Sequence, residues 1–366
     1  MANPNFQLGV NMREFPFYGA NVNSVIVQMD AGLRQRQISF LQSAGVRLVR
    51  IFASHVSLPT DQCIEHVRAA LDQLANAGLQ AIVCLDDSLG VSGFYVQGTE
   101  AFHTETSLSH LNKDYWLGRH YEGRYKDHVQ RLVGALGAHP AVWLWEAGNE
   151  YTIRPSEHTQ SEVDAFPAFI AEFSQWMRSL TARPISSGLI STRNVFRDPL
   201  PGESDQQYAE AHRSFAVGLY STLDMVSLHY YAGEASKSFV EFDINALKDT
   251  KPFYIGELGA KFDSPGRSTY YADEIRQQFD ANADAVLIWG FSSEREPADE
   301  HGVSPKYGDF TEITHTLAGY KRATPVIQPV EVKPATTAAV TAAGTQAVDK
   351  LDYLTDDSIP DGTVFQ

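Results

Sequence analysis

The sequence predicts a (β/α)8 barrel, an α/β TIM-barrel fold, followed by a C-terminal linker rich in Pro, Thr and Ala. Three observations predict it. Eight short, mostly apolar runs recur along the chain with amphipathic segments between them, as strands buried on both faces and their crossover helices require. The 366 residues match one barrel of about 250 to 320 residues with an appendage. No GxGxxG follows the first run, which disfavours the runner-up, an open doubly wound sheet.

The strand-like runs are Gln7 to Met12, Val46 to Phe52, Gln80 to Asp86, Ala141 to Gly148, Pro184 to Ser191, Met225 to Tyr231, Phe253 to Gly259 and Ala285 to Phe291. Between them, segments such as Gln62 to Ala77 and Glu162 to Leu180 repeat apolar residues at spacings of three and four, the stripe of a helix lying on a sheet. Gly45, Gly78 and Gly137 each follow such a segment, where a left-handed helix cap suits glycine. The connection from Ser88 to about Asn112 is long and carries Phe94, Tyr95 and Phe102, with Tyr115 and Trp116 just beyond. Long ordered loops at a barrel rim usually build a binding site, so some of these aromatics are expected to line a cleft while others pack the loop down.

The barrel is expected over residues 1–322. Composition then turns to Pro, Thr, Ala and Val, that of a flexible linker, over residues 323–348. Residues 349–366 are too few to fold alone and resemble the opening strand and turn of an immunoglobulin-like accessory module found on some bacterial secreted enzymes. On that resemblance the chain is a truncation of a longer one.

A net charge of −16 argues against a nucleic-acid partner, since phosphate binding needs clustered Lys and Arg. With 43% apolar and 20% charged residues and no long apolar run, no membrane span is expected, and a monomer acting on a neutral glycan fits. The N-terminal Met1-Ala2-Asn3-Pro4-Asn5 is polar and carries no signal segment; a polysaccharide substrate nevertheless favours an extracellular, secreted protein whose leader has been replaced by an expression start. Cys63 and Cys84 form neither a CxxC pair nor a disulfide framework, and buried free thiols are expected, although their pairing is not fixed by sequence.

Chemistry concentrates at the ends of two runs. Glu150 closes Trp143-Leu144-Trp145-Glu146-Ala147-Gly148-Asn149-Glu150, and Glu257 lies in Pro252-Phe253-Tyr254-Ile255-Gly256-Glu257-Leu258-Gly259. In a parallel barrel the carboxyl ends of the strands form one rim, so both carboxylates are expected to face one cleft. Two such groups serve glycosidic bond cleavage: Glu150 as acid/base, preceded by an Asn149 amide suited to a sugar 2-hydroxyl, and Glu257 as nucleophile. Glu146, four residues back along the strand, is expected below the rim with a structural partner. Asp86 and Asp87 either cap the loop, fill an ion pair or bind sugar hydroxyls, and neither is expected to be catalytic. No HxH follows the first run and no HExxH occurs, so His55, His103, His110, His120 and His128 read as scattered rim or surface residues; neither metal nor cofactor is expected.

In ordered position, Asn149-Glu150, Glu257, Arg50 in Val46-Arg47-Leu48-Val49-Arg50-Ile51, His229-Tyr230-Tyr231 and Trp289 resemble glycoside hydrolase clan A, the retaining (β/α)8 enzymes, and most closely its family five. The resemblance implies that Arg50 orients Glu257 and keeps it ionised while Glu150 holds its proton, that Tyr231 donates to Glu257, that His229 contacts the sugar, and that Trp289, on strand eight, is its platform. Two departures stand out: Tyr151 follows the Asn-Glu pair where that family often has Pro, and Asp86-Asp87 stand after strand three where many of its cellulases have His. The stretch from Phe94 to Gly137 looks more like the mannanase than the cellulase branch, so the expected activity is endo-β-1,4-mannanase-like. The alternatives are a β-glucanase or cellulase-like enzyme, a transglycosylase of the same fold, and a glycan-binding barrel without catalysis.

Overall fold

The computed structural model describes residues 3, 5–13, 15–17, 30–55, 58–86, 101–102, 110–111, 116–153, 158–234, 236–293 and 300–320. The linker and accessory-module expectations, and those for Asp87, Phe94, Tyr95, His103 and Tyr115, lie outside them.

Eight parallel strands form the barrel: β1 (Gln7–Asn11), β2 (Leu48–Phe52), β3 (Gln80–Cys84), β4 (Val142–Glu146), β5 (Ile185–Ser186), β6 (Val226–Tyr231), β7 (Phe253–Gly259) and β8 (Ala285–Ile288). They pair in the order β5-β4-β3-β2-β1-β8-β7-β6. The seam between β5 and β6 is bridged outside a regular ladder, by the Asp224 amide on the Ile185 carbonyl (2.9 Å), the Ser186 hydroxyl on the Met225 carbonyl (2.9 Å) and the His229 amide on the Ile190 carbonyl (3.0 Å). The fifth run is much shorter as a strand than its sequence suggests, because Gly188 turns the chain at φ 74°. Residues 101–102 and 110–111 pair as a small antiparallel ladder apart from the barrel.

The crossover helices are α1 (Ala31–Ser43), α2 (Thr60–Asn76), α3 (Arg124–Leu136), α4 (Gln160–Leu180), α5 (Asp205–Tyr220), α6 (Ser236–Leu247), α7 (Arg267–Asp280) and α8 (Phe310–Gly319). Helix α4 starts two residues before the apolar pattern does, because Thr159 and Glu162 close a reciprocal capping box. Gly45 and Gly78 adopt the left-handed cap, but Gly137 does not: its φ is −60°. Its need is space, since a β-carbon there would fall 2.6 Å from the Val133 carbonyl oxygen.

Strand alternation sorts the core into two layers. Val49, Ile51, Ala81, Val83 and Trp145 face outward onto the helices, while Leu48, Ile82, Leu144, Met225, Tyr254, Ala285 and Leu287 fill the barrel itself. Cys63 and Cys84 are buried thiols. Among the described residues, no helix is long and apolar enough to cross a membrane. His55 and His128 are buried rather than superficial: His55 packs against Phe17 at 5.1 Å, and His128 Nδ1 lies 3.1 Å from the Thr60 hydroxyl. Trp116 likewise packs edge-on against Phe166 at 5.7 Å, as a loop anchor.

Candidate active site

Two residues beyond the apolar filling, the same strands turn polar. Leu48 gives way to Arg50, Leu144 to Glu146 and, on β3, Ile82 to Cys84. Arg50 is fully buried and touches five groups: Nε donates to Glu146 (2.7 Å), Nη1 to Glu257 (2.7 Å) and to Asn11 Oδ1 (3.1 Å), and Nη2 to Asn149 Oδ1 (2.9 Å) and to Cys84 Sγ (3.8 Å). A planar guanidinium suits this, because its five N–H groups fork toward several acceptors at once. Asn149 thus has its carbonyl oxygen engaged, which orients its NH2 away from Arg50. Glu146 also accepts from the Tyr254 hydroxyl at 2.5 Å, the structural partner expected for it.

Register irregularities aim the two rim glutamates. Between β6 and β7 the pairing passes from Leu228↔Ile255 to His229↔Glu257, so Gly256 is the extra residue of a bulge, and β4 skips Trp143 against β3 in the same way. Glycine is required at 256: a β-carbon would lie 2.6 Å from His229 Nε2. Glu257 accepts from Arg50 on one carboxylate oxygen and from the Tyr231 hydroxyl on the other. His229 Nδ1 lies 3.0 Å from Glu150 and 3.5 Å from Glu257. One oxygen of each glutamate and one nitrogen of His229 fall within 4.8 Å of one another.

Arg50, Asn149, Glu150, His229, Tyr231 and Glu257 are thus linked in one cluster of side-chain contacts. His229 is fully buried, with Nδ1 turned to the two carboxylates. Trp289 lies one residue past the end of β8, 4% exposed, with its amide on the Leu258 carbonyl (2.9 Å). Glu150 sits in the left-handed region at φ 52°, which its sequence gave no sign of. Asp86, fully buried, accepts from the Tyr151 hydroxyl at 2.9 Å. Asn11 and Tyr254 were not singled out from sequence; a polar side chain closing an otherwise apolar run was the available signal for Asn11.

The electrostatics revise one expectation. Arg50 lowers the Glu257 carboxyl but does not prevail: burial pushes it up to about 7, Glu150 raises it as well, and the Tyr231 hydroxyl lowers it. Arg50 is also shared with Glu146, so one guanidinium serves a centre with three carboxylates. Burial also depresses His229 to about 4, leaving it neutral near pH 7. Glu150 and Glu257 lie close enough for their titrations to be coupled. Glu150, His229 and Glu257 together also form a donor set of a kind that can bind a metal ion.

No family model and no curated protein matches the chain. Solved structures do. An endo-1,4-β-D-mannanase from Thermotoga petrophila RKU-1 is 15% identical, with 86% of this chain and 99% of that one covered and a TM-score of 0.62. An endo-1,4-β-mannanase from Rhizomucor miehei is 16% identical, over 86% and 94%, with a TM-score of 0.63. An endoglucanase from Pseudomonas stutzeri is 12% identical, over 87% and 95%, with a TM-score of 0.53. At such identities the likeness is one of architecture: the chain has the (β/α)8 barrel fold that these enzymes share.

Proposed function

We propose that the chain is a retaining glycoside hydrolase acting on a β-linked glycan, with a β-1,4-mannan as its polymer. The observation that carries this reading is the approach of Glu150 and Glu257 within 4.8 Å, with two donors on Glu257. Retaining enzymes hold their carboxyls about 5 to 5.5 Å apart, whereas inverting ones leave about 6.5 to 9.5 Å for a water. In the first step Glu150 gives its proton to the glycosidic oxygen as Glu257 attacks the anomeric carbon; the C–O bond breaks and a glycosyl ester forms on Glu257. In the second, Glu150 takes a proton from water, the oxygen of that water attacks the anomeric carbon, and Glu257 leaves as carboxylate. Asn149, whose oxygen is held by Arg50, offers its NH2 to the 2-hydroxyl, and Trp289 and Tyr231 flank the sugar. Mannanases among the structural neighbours support the substrate, as does the mannanase-like sequence after β3. Action on a polymer favours a secreted protein.

The test is reducing-sugar release from mannan, glucomannan, β-glucan, xylan and chitosan. Release from mannan is expected, abolished by Glu257→Gln on every substrate, while Glu150→Ala is partly rescued by azide or an activated leaving group. Activity on another glycan instead removes the mannan assignment; equal, unrescued loss in both variants breaks the assignment of roles.

A further inference from the structure

Glu150 is held differently from Glu257. Its backbone occupies the left-handed region, which L-residues other than glycine adopt at a cost and keep only where their surroundings hold them. Asp86, two residues past the end of β3, straddles it: the Asp86 carbonyl accepts from the Asn149 amide at 2.8 Å, and the Asp86 carboxylate accepts from the Tyr151 hydroxyl at 2.9 Å. The Glu150 amide itself donates to the Gly188 carbonyl at 2.8 Å. Tyr151 and Asp86 are fully buried, and the tyrosine ring passes so close under Gly148 that a β-carbon there would lie 2.3 Å from it. Tyr125 braces the same turn through the Ala147 carbonyl at 2.7 Å. None of these contacts reaches Glu257, which rests on Arg50 and Tyr231.

We propose that Tyr151 and Asp86 are positioning residues for the acid/base: by fixing the residues on either side of Glu150 they hold its left-handed backbone, and with it the direction of its carboxyl. The proposal rests on the assignment of Glu150 as proton donor made above. It implies a split that a merely structural pair would not give. Steps in which Glu150 moves a proton depend on the clamp, whereas attack by Glu257 on a substrate whose leaving group needs no proton does not. A displacement of an ångström in such a group is worth on the order of 100-fold in rate.

The experiment compares wild type with Tyr151→Phe on mannan and β-glucan, and measures labelling of Glu257 by 2,4-dinitrophenyl 2-deoxy-2-fluoro-β-mannoside and β-glucoside, read by mass spectrometry. The variant is expected to lose about 10- to 100-fold in kcat on the polysaccharide with KM little changed, while the labelling rate stays within about twofold. Asp86→Asn, which keeps an oxygen for the tyrosine hydroxyl, is expected to show the same split with a smaller loss, and serves if Tyr151→Phe does not fold. An unchanged polysaccharide rate overturns the positioning role and leaves the hydrolase reading standing. Equal loss of labelling and turnover also overturns it, marking the pair as packing. Absence of both turnover and labelling in wild type instead sinks the hydrolase reading, and the proposal with it.

Discussion

The inside of this barrel has a floor and a roof, built from the same strands two residues apart. The floor is apolar: Leu48, Ile82 and Leu144, with Met225, Tyr254, Ala285 and Leu287. The roof carries Arg50, Cys84 and Glu146, joined from neighbouring strands by Asn11, Asn149, His229 and Glu257. Tyr254 links the layers, with its ring in the floor and its hydroxyl on Glu146. Floor residues gain by leaving water, at about 25 cal/mol per Å² of apolar surface. Roof residues lose solvation by the same burial and recover it only through one another. On the proposed mechanism the roof, not the floor, carries the chemistry: its charges are held in place by mutual need, so they are oriented before substrate arrives.

If that is right, breaking the roof should cost at least as much stability as hollowing the floor. Arg50→Met leaves Glu146 and Glu257 buried without their cation, and is expected to cost about 3–5 kcal/mol in denaturant unfolding together with all activity. Retention of the wild-type midpoint would show that the roof adds nothing to the fold. Leu144→Ala removes floor volume alone and is expected to cost about 2–5 kcal/mol while the folded fraction keeps kcat/KM within a few-fold. A collapse of kcat/KM in Leu144→Ala would mean that the floor positions the chemistry too, and would erase the distinction.

The floor was easier to read in the sequence than the roof. Apolar runs announce strands wherever they occur, and seven of the eight runs contain strands of four residues or more; the exception, from Pro184, is cut short by the turn at Gly188. The glutamates, Arg50 and Tyr231 were singled out from ordered motifs, although Arg50 lies in the middle of β2 and Glu257 within β7. What stayed hidden were relations between strands. Asp86 and Tyr151 read as two separate oddities, and only the barrel's register brings them into one hydrogen bond. The bulge at Gly256 is equally silent in sequence, because a glycine inside a strand signals close approach without naming its neighbour.

The smallest expected effect separates the layers by proton rather than by residue. Glu257 is raised by burial from 4.5 to about 7, so below that pH it is increasingly neutral and, as the proposed nucleophile, loses its attack. The kcat/KM profile on mannan is expected to fall about tenfold per pH unit on its acid side, bending near 7. Stability moves the other way for this group. Between about 4.5 and 7 the folded state binds the proton that the unfolded chain has released, so the contribution of Glu257 is full below 4.5 and is lost as pH rises through 7. His229, His212 and His128 are shifted down by burial and oppose it, so the whole-protein slope is not diagnostic. The difference between wild type and Glu257→Gln is, because glutamine cannot titrate: the variant should gain on wild type by about 1 kcal/mol per pH unit across that window. A floor substitution such as Leu144→Ala should shift stability equally at every pH. A flat difference for Glu257→Gln would mean that the nucleophile is already ionised at pH 5, with Arg50 outweighing burial, and the acid limb should then lie near 4.5 as well.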